Sequence, residues 1–565
     1  MNFIALESSQ KLRGGFYTDP GIASFLARWI KIGNPTSILE PSCGDGIFLQ
    51  MIEQQGIPCL KQVTAFEIEH DEAEKARKRT HLPVRVLDRD FLRWFLFKAQ
   101  DEDRFDAVIG NPPFIRYQYL PEEQQLLAEK IFAELGLPFT KHTNAWVPFV
   151  LASIRLLNPG GRIAMVIPSE IFHIPHAGSL RRSLATQCSR ILLFDPQEIW
   201  FNDTLQGTVL LLAEKKREVS DKNKGVGVIS ISDRQALSEN PEQQFQRAAY
   251  ANGVTIEGKW MPIFLTLHER ELLAQLRASP NVKCFSEVAS VDVGIVTGAN
   301  KFFLVPDRTV EEFALHQWAH PMFGRSAHVE GLVFTTDDHQ ANKSVGLPSN
   351  FLWFQEENIE DLPSNARRYL EVGLSQQLQK RFKCRTRRCW YKVPSVYSSP
   401  IAMLKRAHNY PRLVLNRADA YTTDTAYRIQ PINIKPSALV LGFVNSLTCL
   451  TAELEGRHYG GGVLELVPSE IERLLVPKID ASVADLNSAD RRFRKMKDDL
   501  AFLHEQDSHI LGKIGLTKNE QIILHNAWLR LRDRRHRTPS PEKVLNEEKG
   551  NLWTPYRGKR NVTFY

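Results

Sequence analysis

The sequence predicts a doubly wound α/β domain followed by a mixed α+β domain, and three observations predict it. Residues 37–49 read as a short hydrophobic strand, a glycine-bearing turn and the start of a helix. Acidic residues then stand at the carboxyl ends of successive strand-like runs, Glu67 after residues 62–66 and Asp90 after residues 84–87, which is where ligands bind in a doubly wound sheet. Beyond a charged, glycine-containing stretch at residues 214–225, about half the chain remains, with short strands and helices mixed.

The turn Glu40-Pro41-Ser42-Cys43-Gly44-Asp45-Gly46 opens a site. Gly44 and Gly46 let the backbone come close to a ligand, and the N-terminus of the helix that follows favours a carboxylate or phosphate. The three-glycine dinucleotide fingerprint is missing, so the expected ligand is a nucleoside-type cofactor. Glu67 stands where ribose hydroxyls would lie, and Ile68 beside it would cover one face of an adenine. Asp90 can accept from the adenine amino group, with Phe91 packed near it.

Residues 106–110 read as a buried strand that delivers Asn111-Pro112-Pro113-Phe114 to the sheet edge. Such a turn suits methylation of a planar amino group. The exocyclic nitrogen of adenine is a poor nucleophile because its lone pair is delocalised into the ring. An enzyme must accept hydrogen bonds from both N–H groups and draw the nitrogen toward a tetrahedral geometry. The side-chain oxygen of Asn111 and the carbonyl of Pro112 can do this, because two prolines fix φ and remove two competing donors. Phe114 offers a ring for stacking a base. The wound pattern then continues with an apolar helix at residues 146–157, a break at Asn158-Pro159-Gly160-Gly161 and a strand at residues 162–168.

In the order and spacing of these residues the chain resembles the gamma-class N6-adenine DNA methyltransferases of restriction-modification systems, the type represented by the TaqI methyltransferase. The resemblance implies a class I S-adenosylmethionine-dependent methyltransferase domain over residues 1–220, a DNA target-recognition domain over 221–477, and a helical, basic extension over 478–565. It also implies roles. Residues 15–20 resemble the segment that closes over the methionine end of S-adenosylmethionine, so Tyr17 and Thr18 contact it. Glu40, Pro41, Ser42, Cys43, Gly44, Asp45 and Gly46 surround the methionine portion, Glu67 holds the ribose, and Ile68, Asp90, Phe91 and Phe149 frame the adenine. Asn111, Pro112, Pro113 and Phe114 form the catalytic turn, and Phe201, ahead of a strand at residues 208–212, helps hold the flipped target base. Transfer is direct and no metal is implied. Two departures stand out: the family often carries Tyr at the position of Phe114, and Cys43 and Asp45 are variants within the glycine loop.

The second half carries fewer signals. Residues 291–303 resemble the opening of a target-recognition region, and residues 459–468 a glycine-turn element near its end. Residues 380–392 interleave cations with aromatics, which suits phosphate neutralisation and groove contact, with a solvated basic face as the alternative. Leu486, Phe493, Met496, Leu500 and Leu503 fall on one helical face, so an amphipathic helix is expected after Pro477. Arg530, Arg532, Arg534, Arg535 and Arg537 read as a basic arm that touches DNA backbone.

Composition agrees. With 565 residues, 43% hydrophobic, the chain can bury more than one core. A net charge of +7 is compatible with a nucleic-acid partner without demanding one. The seven cysteines lack paired metal-ligand spacing, so free thiols in a reducing cytoplasm are expected. No signal-like segment and no apolar run of spanning length is present, so no membrane partner is expected. The expected partner is double-stranded DNA, with any cognate restriction endonuclease on a separate chain. The same Asn-Pro-Pro chemistry leaves N4-cytosine, RNA and protein-glutamine methylation open.

Overall fold

The computed structural model describes residues 17–97, 99, 103–197, 207–251, 258–496 and 499–536. Two compact units emerge: the chain up to Ser169 with Leu184–Tyr250 and the chain from Arg532, and a second unit of Glu170–Ser183 with Ala251–Leu531.

In the first unit, helix α1 (Pro20–Ile32) starts where Asp19 accepts the Gly21 N–H at 2.8 Å and Pro20 fills the first helical position. Its buried face carries Phe25, Leu26, Trp29 and Ile30. Strand β1 (Ser37–Glu40) runs through the glycine turn into α2 (Ile47–Gln55), β2 (Gln62–Glu67) into α3 (His70–Arg79), and β3 (Val84–Asp88) into α4 (Phe91–Phe97). Strand β4 (Phe105–Gly110) enters the proline turn, followed by α5 (Glu122–Glu134) and α6 (Trp146–Leu156). Then come β5 (Leu157–Pro168), β6 (Cys188–Pro196), β7 (Thr208–Lys215), β8 (Val226–Ile231) and the short β9 (Tyr250–Ala251).

These strands form one sheet in the order β3-β2-β1-β4-β5-β7-β6-β8-β9. Strands β3 to β5 pair in parallel, while β7 lies antiparallel between β5 and β6. Val108, Ile109, Ile163, Leu210 and Leu211 have no exposed surface, as expected for central strands covered on both faces. Strand order reverses at β1 and β4, and a crevice at such a switch point is the natural ligand site of an open α/β sheet.

The sheet does not end near residue 220. Strand β8 pairs in parallel with β6 from Ile191↔Val226 to Pro196↔Ile231. The charged stretch at residues 214–225 is therefore a surface connection within one sheet, and the unit extends to Tyr250.

The second unit contains a five-stranded sheet in the order Ala289–Val293, Ala426–Pro431, Ile401–Leu404, Leu413–Asn416, Val333–Phe334. Phe302, Phe303, Phe351, Tyr369 and Leu370 anchor one of its cores. The glycine-turn element is a hairpin, Arg457–Tyr459 paired with Val463–Glu465. The single amphipathic helix expected after Pro477 is two helices, Val483–Lys495 and Asp499–Ile510. Met496 adopts an extended conformation that ends the first, and the Phe493 and Phe502 rings meet edge to face at 5.0 Å. Residues 478–531, expected in a separate extension, thus belong to this unit, and the chain from Arg532 belongs to the first.

The expected basic arm is likewise ordered. Arg530, Arg532, Arg534 and Arg535 lie on helix Lys518–His536. Arg530 pairs with Glu269 at 2.7 Å, and Arg534 takes both oxygens of buried Asp195 at 2.6 and 3.1 Å; Arg537 lies outside the described residues. Among the described residues no single helix is long and apolar enough to cross a membrane. The bent pair Pro436–Phe443 and Ser446–Glu455 matches only when the two helices are taken together.

Candidate active site

The carboxyl ends of β1 and β4 bring Glu40 and Asn111 to the switch point. Glu40 is completely buried, and neither carboxylate oxygen has a hydrogen-bond partner among the described residues. Burial first, then the charges of Asp45 and Glu67, push its pKa well above the ordinary carboxylate range. A buried polar group in this condition is costly until a partner completes it. A cationic or N–H-bearing ligand would complete Glu40.

The turn after Glu40 is shaped for close approach. Gly46 has φ 87°, and a Cβ there would stand 2.8 Å from the Cα of Ala76 in α3, so the position accepts only glycine without displacement. Gly44 donates its N–H to Glu67 Oε2 at 2.9 Å, and Glu67 Oε1 accepts from the N–H groups of Ile68 and Glu69 at 2.8 and 2.9 Å. Burial nevertheless raises the Glu67 pKa. Cys43 is buried, its N–H bonded to the Phe66 carbonyl at 2.8 Å, and burial pushes its thiol up, so it stays protonated and acts as a small apolar residue. The Asp45 carboxylate is turned away, paired with Arg79 of α3.

Ser42 joins the two halves of the site by donating from Oγ to the Asn111 carbonyl at 3.0 Å. Asn111 in turn donates from Nδ2 to Thr18 Oγ1 at 3.2 Å, which fixes the orientation of its amide. Pro41 and Pro112 are buried, Pro113 is half-buried, and half-buried Phe114 packs against the main core of the unit. Tyr17 is half-exposed, with its hydroxyl 3.3 Å from both oxygens of Glu72. Ile68 is 59% exposed beside Glu67.

Asp90 has a local role. One oxygen accepts the Arg93 N–H at 2.7 Å at the start of α4, and the other accepts from Gln124 of α5. Phe91 is buried, its ring 5.3 Å from Phe66 and 5.5 Å from half-buried Phe149. The structure thus links Thr18, Asn111 and Ser42 by hydrogen bonds and Gly44 to Glu67 by another, with Glu40 and Gly46 placed by the turn that holds Ser42 and Gly44. Asp45 and Asp90 have their carboxylates engaged elsewhere, and Phe201 lies outside the described residues. Arg79 and Gln124 went unseen in the sequence, since each meets its carboxylate across a distance of chain that carries no local signal. In the second unit His504, Asp507 and His525 lie together, but Asp507 already accepts the Ser446 N–H and hydroxyl at 2.7 and 2.6 Å, which accounts for its burial.

Residues 3–256 match the family model of the N-6 DNA Methylase, and residues 257–511 match that of the Type II methyltransferase M.Eco57I, C-terminal domain. The two matches lie end to end, and the chain is a methyltransferase. This methyltransferase is 24% identical over 551 residues to the Type II methyltransferase M.AccI of Acinetobacter calcoaceticus, covering 93% of this chain and 96% of the relative. It is 22% identical over 490 residues to the Type II methyltransferase M.XamI of Xanthomonas campestris pv. amaranthicola, covering 83% and 85%. Among solved structures, the type IIG restriction endonuclease BpuSI aligns over 94% of this chain and 67% of its own, at 14% identity and TM-score 0.42. The matches are to methyltransferases of restriction-modification systems, and they imply S-adenosylmethionine as the methyl donor. The residues present fit that donor: the buried Glu40 carboxylate suits its ammonium, and the glycine turn with Glu67 suits a nucleoside held close to backbone.

Proposed function

We propose that this methyltransferase places a methyl group on the N6 amino group of adenine in duplex DNA, as the modification component of a restriction-modification system of the gamma-class type. The observation that carries the reading is Asn111, held at the end of β4 by Thr18 and bonded through its carbonyl to the turn that follows Glu40. S-adenosylmethionine, when bound, supplies a methyl group already activated on a sulfonium. Glu40 holds the ammonium of its methionine portion, Glu67 the ribose, and Ile68, Phe91 and Phe149 line the adenine. The Asn111 amide oxygen and the Pro112 carbonyl accept from the two N–H groups of the target amine, which localises the nitrogen lone pair for attack. Phe114 stacks on the target base, offsetting part of the few kcal/mol needed to extrude it from the duplex.

The test is incubation with methyl-labelled S-adenosylmethionine and duplex DNA, digestion to nucleosides and identification of the labelled base. N6-methyladenine is the expected product. Label in N4-methylcytosine, or in RNA or protein but not DNA, overturns the substrate assignment.

A further inference from the structure

The basic run at residues 380–392 divides into an inward and an outward half. Arg387 turns inward, donating to the Val296 and Thr297 carbonyls at 2.8 Å each. Cys384 is buried beneath the same turn. Gly298, at φ 75°, lies so close that a Cβ there would stand 2.8 Å from the Cβ of Lys383. The turn at residues 296–298 therefore acts as a brace under a short helix, Phe382–Arg385. Arg388 and Lys392 are spent on a shared partner, Glu357, at 3.0 and 3.1 Å.

What the brace presents outward is different in kind. Lys380, Arg381, Lys383 and Arg385 are exposed, and among the described residues none of them takes part in an ion pair with an acidic side chain. Phe382 stands between them with 63% of its surface exposed, the Lys383 ammonium and Arg385 guanidinium 5.7 and 5.6 Å from its ring centre. A large exposed ring among cations without acidic partners is a poor surface for water and a good one for a polyanion that offers both phosphates and flat apolar edges.

We propose that Lys380, Arg381, Phe382, Lys383 and Arg385 form a docking surface for duplex DNA, the cations on phosphates and the Phe382 ring in a groove. This rests on the DNA-methylating reading above. Arg387, Arg388 and Lys392, from the same run, are outside the surface.

The test compares salt dependence of binding to a short labelled duplex of mixed sequence for the parent chain, the combined Lys380→Ala/Arg381→Ala/Lys383→Ala/Arg385→Ala variant, and the Arg388→Ala/Lys392→Ala variant. Each lost phosphate contact lowers the slope of log affinity against log salt by about 0.9, so the first variant loses roughly 3 to 4 in slope and the second keeps the parent slope. Phe382→Ala keeps the slope and weakens binding about tenfold. Unchanged binding of S-adenosylmethionine and unchanged melting establish that the variants are folded. An equal loss of slope in both charge variants, or none in the first, overturns the surface while a methylating parent leaves the functional reading standing. A parent that neither binds nor methylates duplex overturns both.

Discussion

Glu40→Gln keeps the shape of a buried side chain and removes its charge, so it separates the cost of Glu40 to folding from its use in binding. In the unfolded chain a glutamate titrates near its usual value of about 4.3, whereas in the fold burial raises the pKa well above that range. The folded state therefore holds the extra proton. Stability from this group is fully present below the unfolded pKa and is lost as pH rises toward the folded pKa, at about 1.4 kcal/mol per pH unit. Removing a buried carboxylate that has no hydrogen-bond partner among the described residues is worth on the order of 3 kcal/mol at neutral pH and above. For a unit of this size that raises the ligand-free Tm by roughly 6–12 °C, with the gain shrinking toward zero near pH 4. The same variant loses an ionic hydrogen bond to the ammonium of S-adenosylmethionine, worth about 1.5–3 kcal/mol, so its Kd rises roughly 10- to 100-fold. Calorimetric melting across pH, with titration calorimetry for the cofactor, measures both. A ligand-free Tm that falls, or a gain that grows on acidification, refutes the reasoning.

Three further outcomes follow, two at the same site and one near the opposite end of β4. Asn111→Ala is expected to bind S-adenosylmethionine within about twofold of the parent yet lose on the order of 10²–10³ in single-turnover rate; a parent-like rate would remove Asn111 from catalysis. Gly46→Ala forces a side chain into a left-handed residue and against the Ala76 backbone, and should cost about 2 kcal/mol or more by urea unfolding, together with cofactor affinity. Asp106 is partly buried, which acts to raise its pKa, but hydrogen bonds from Thr36 and Asn158 outweigh this and hold it below the usual aspartate range. Its contribution is present above the ordinary aspartate pKa and is lost as pH falls through the depressed value. Asp106→Asn should therefore be less stable at neutral pH and should flatten the acid limb of the unfolding profile.

The first four strands and the proline turn were legible because each is a short apolar run closed by a glycine or an acid, and parallel strands leave that pattern in any sequence. The place where the sheet ends was not. A surface connection between sheet strands and a linker between domains share the same charged, glycine-bearing composition, and only the pairing of β8 with β6 tells them apart. The break at Met496 was hidden for a related reason: helical periodicity carries across it, so Phe493 and Leu503 looked like one stripe although they belong to two helices. Within the glycine loop, composition could not say that Asp45 pairs with Arg79 while Glu40 is buried without a hydrogen-bond partner among the described residues. In the basic run, Arg387 and Arg388 are neighbours of the same type. One props a turn from within and the other meets Glu357 at the surface, a difference set by side-chain direction alone.

The hydrogen bond from Ser42 to the Asn111 carbonyl ties together turns that leave adjacent parallel strands. Neighbouring strands stand about 4.8 Å apart, a spacing set by backbone chemistry and indifferent to side chains. Donor and acceptor are thus mounted on a ruler whose length selection cannot adjust. Variation in what such an enzyme recognises has to be written in parts of the chain that bring the substrate to the ruler, leaving the ruler itself unedited.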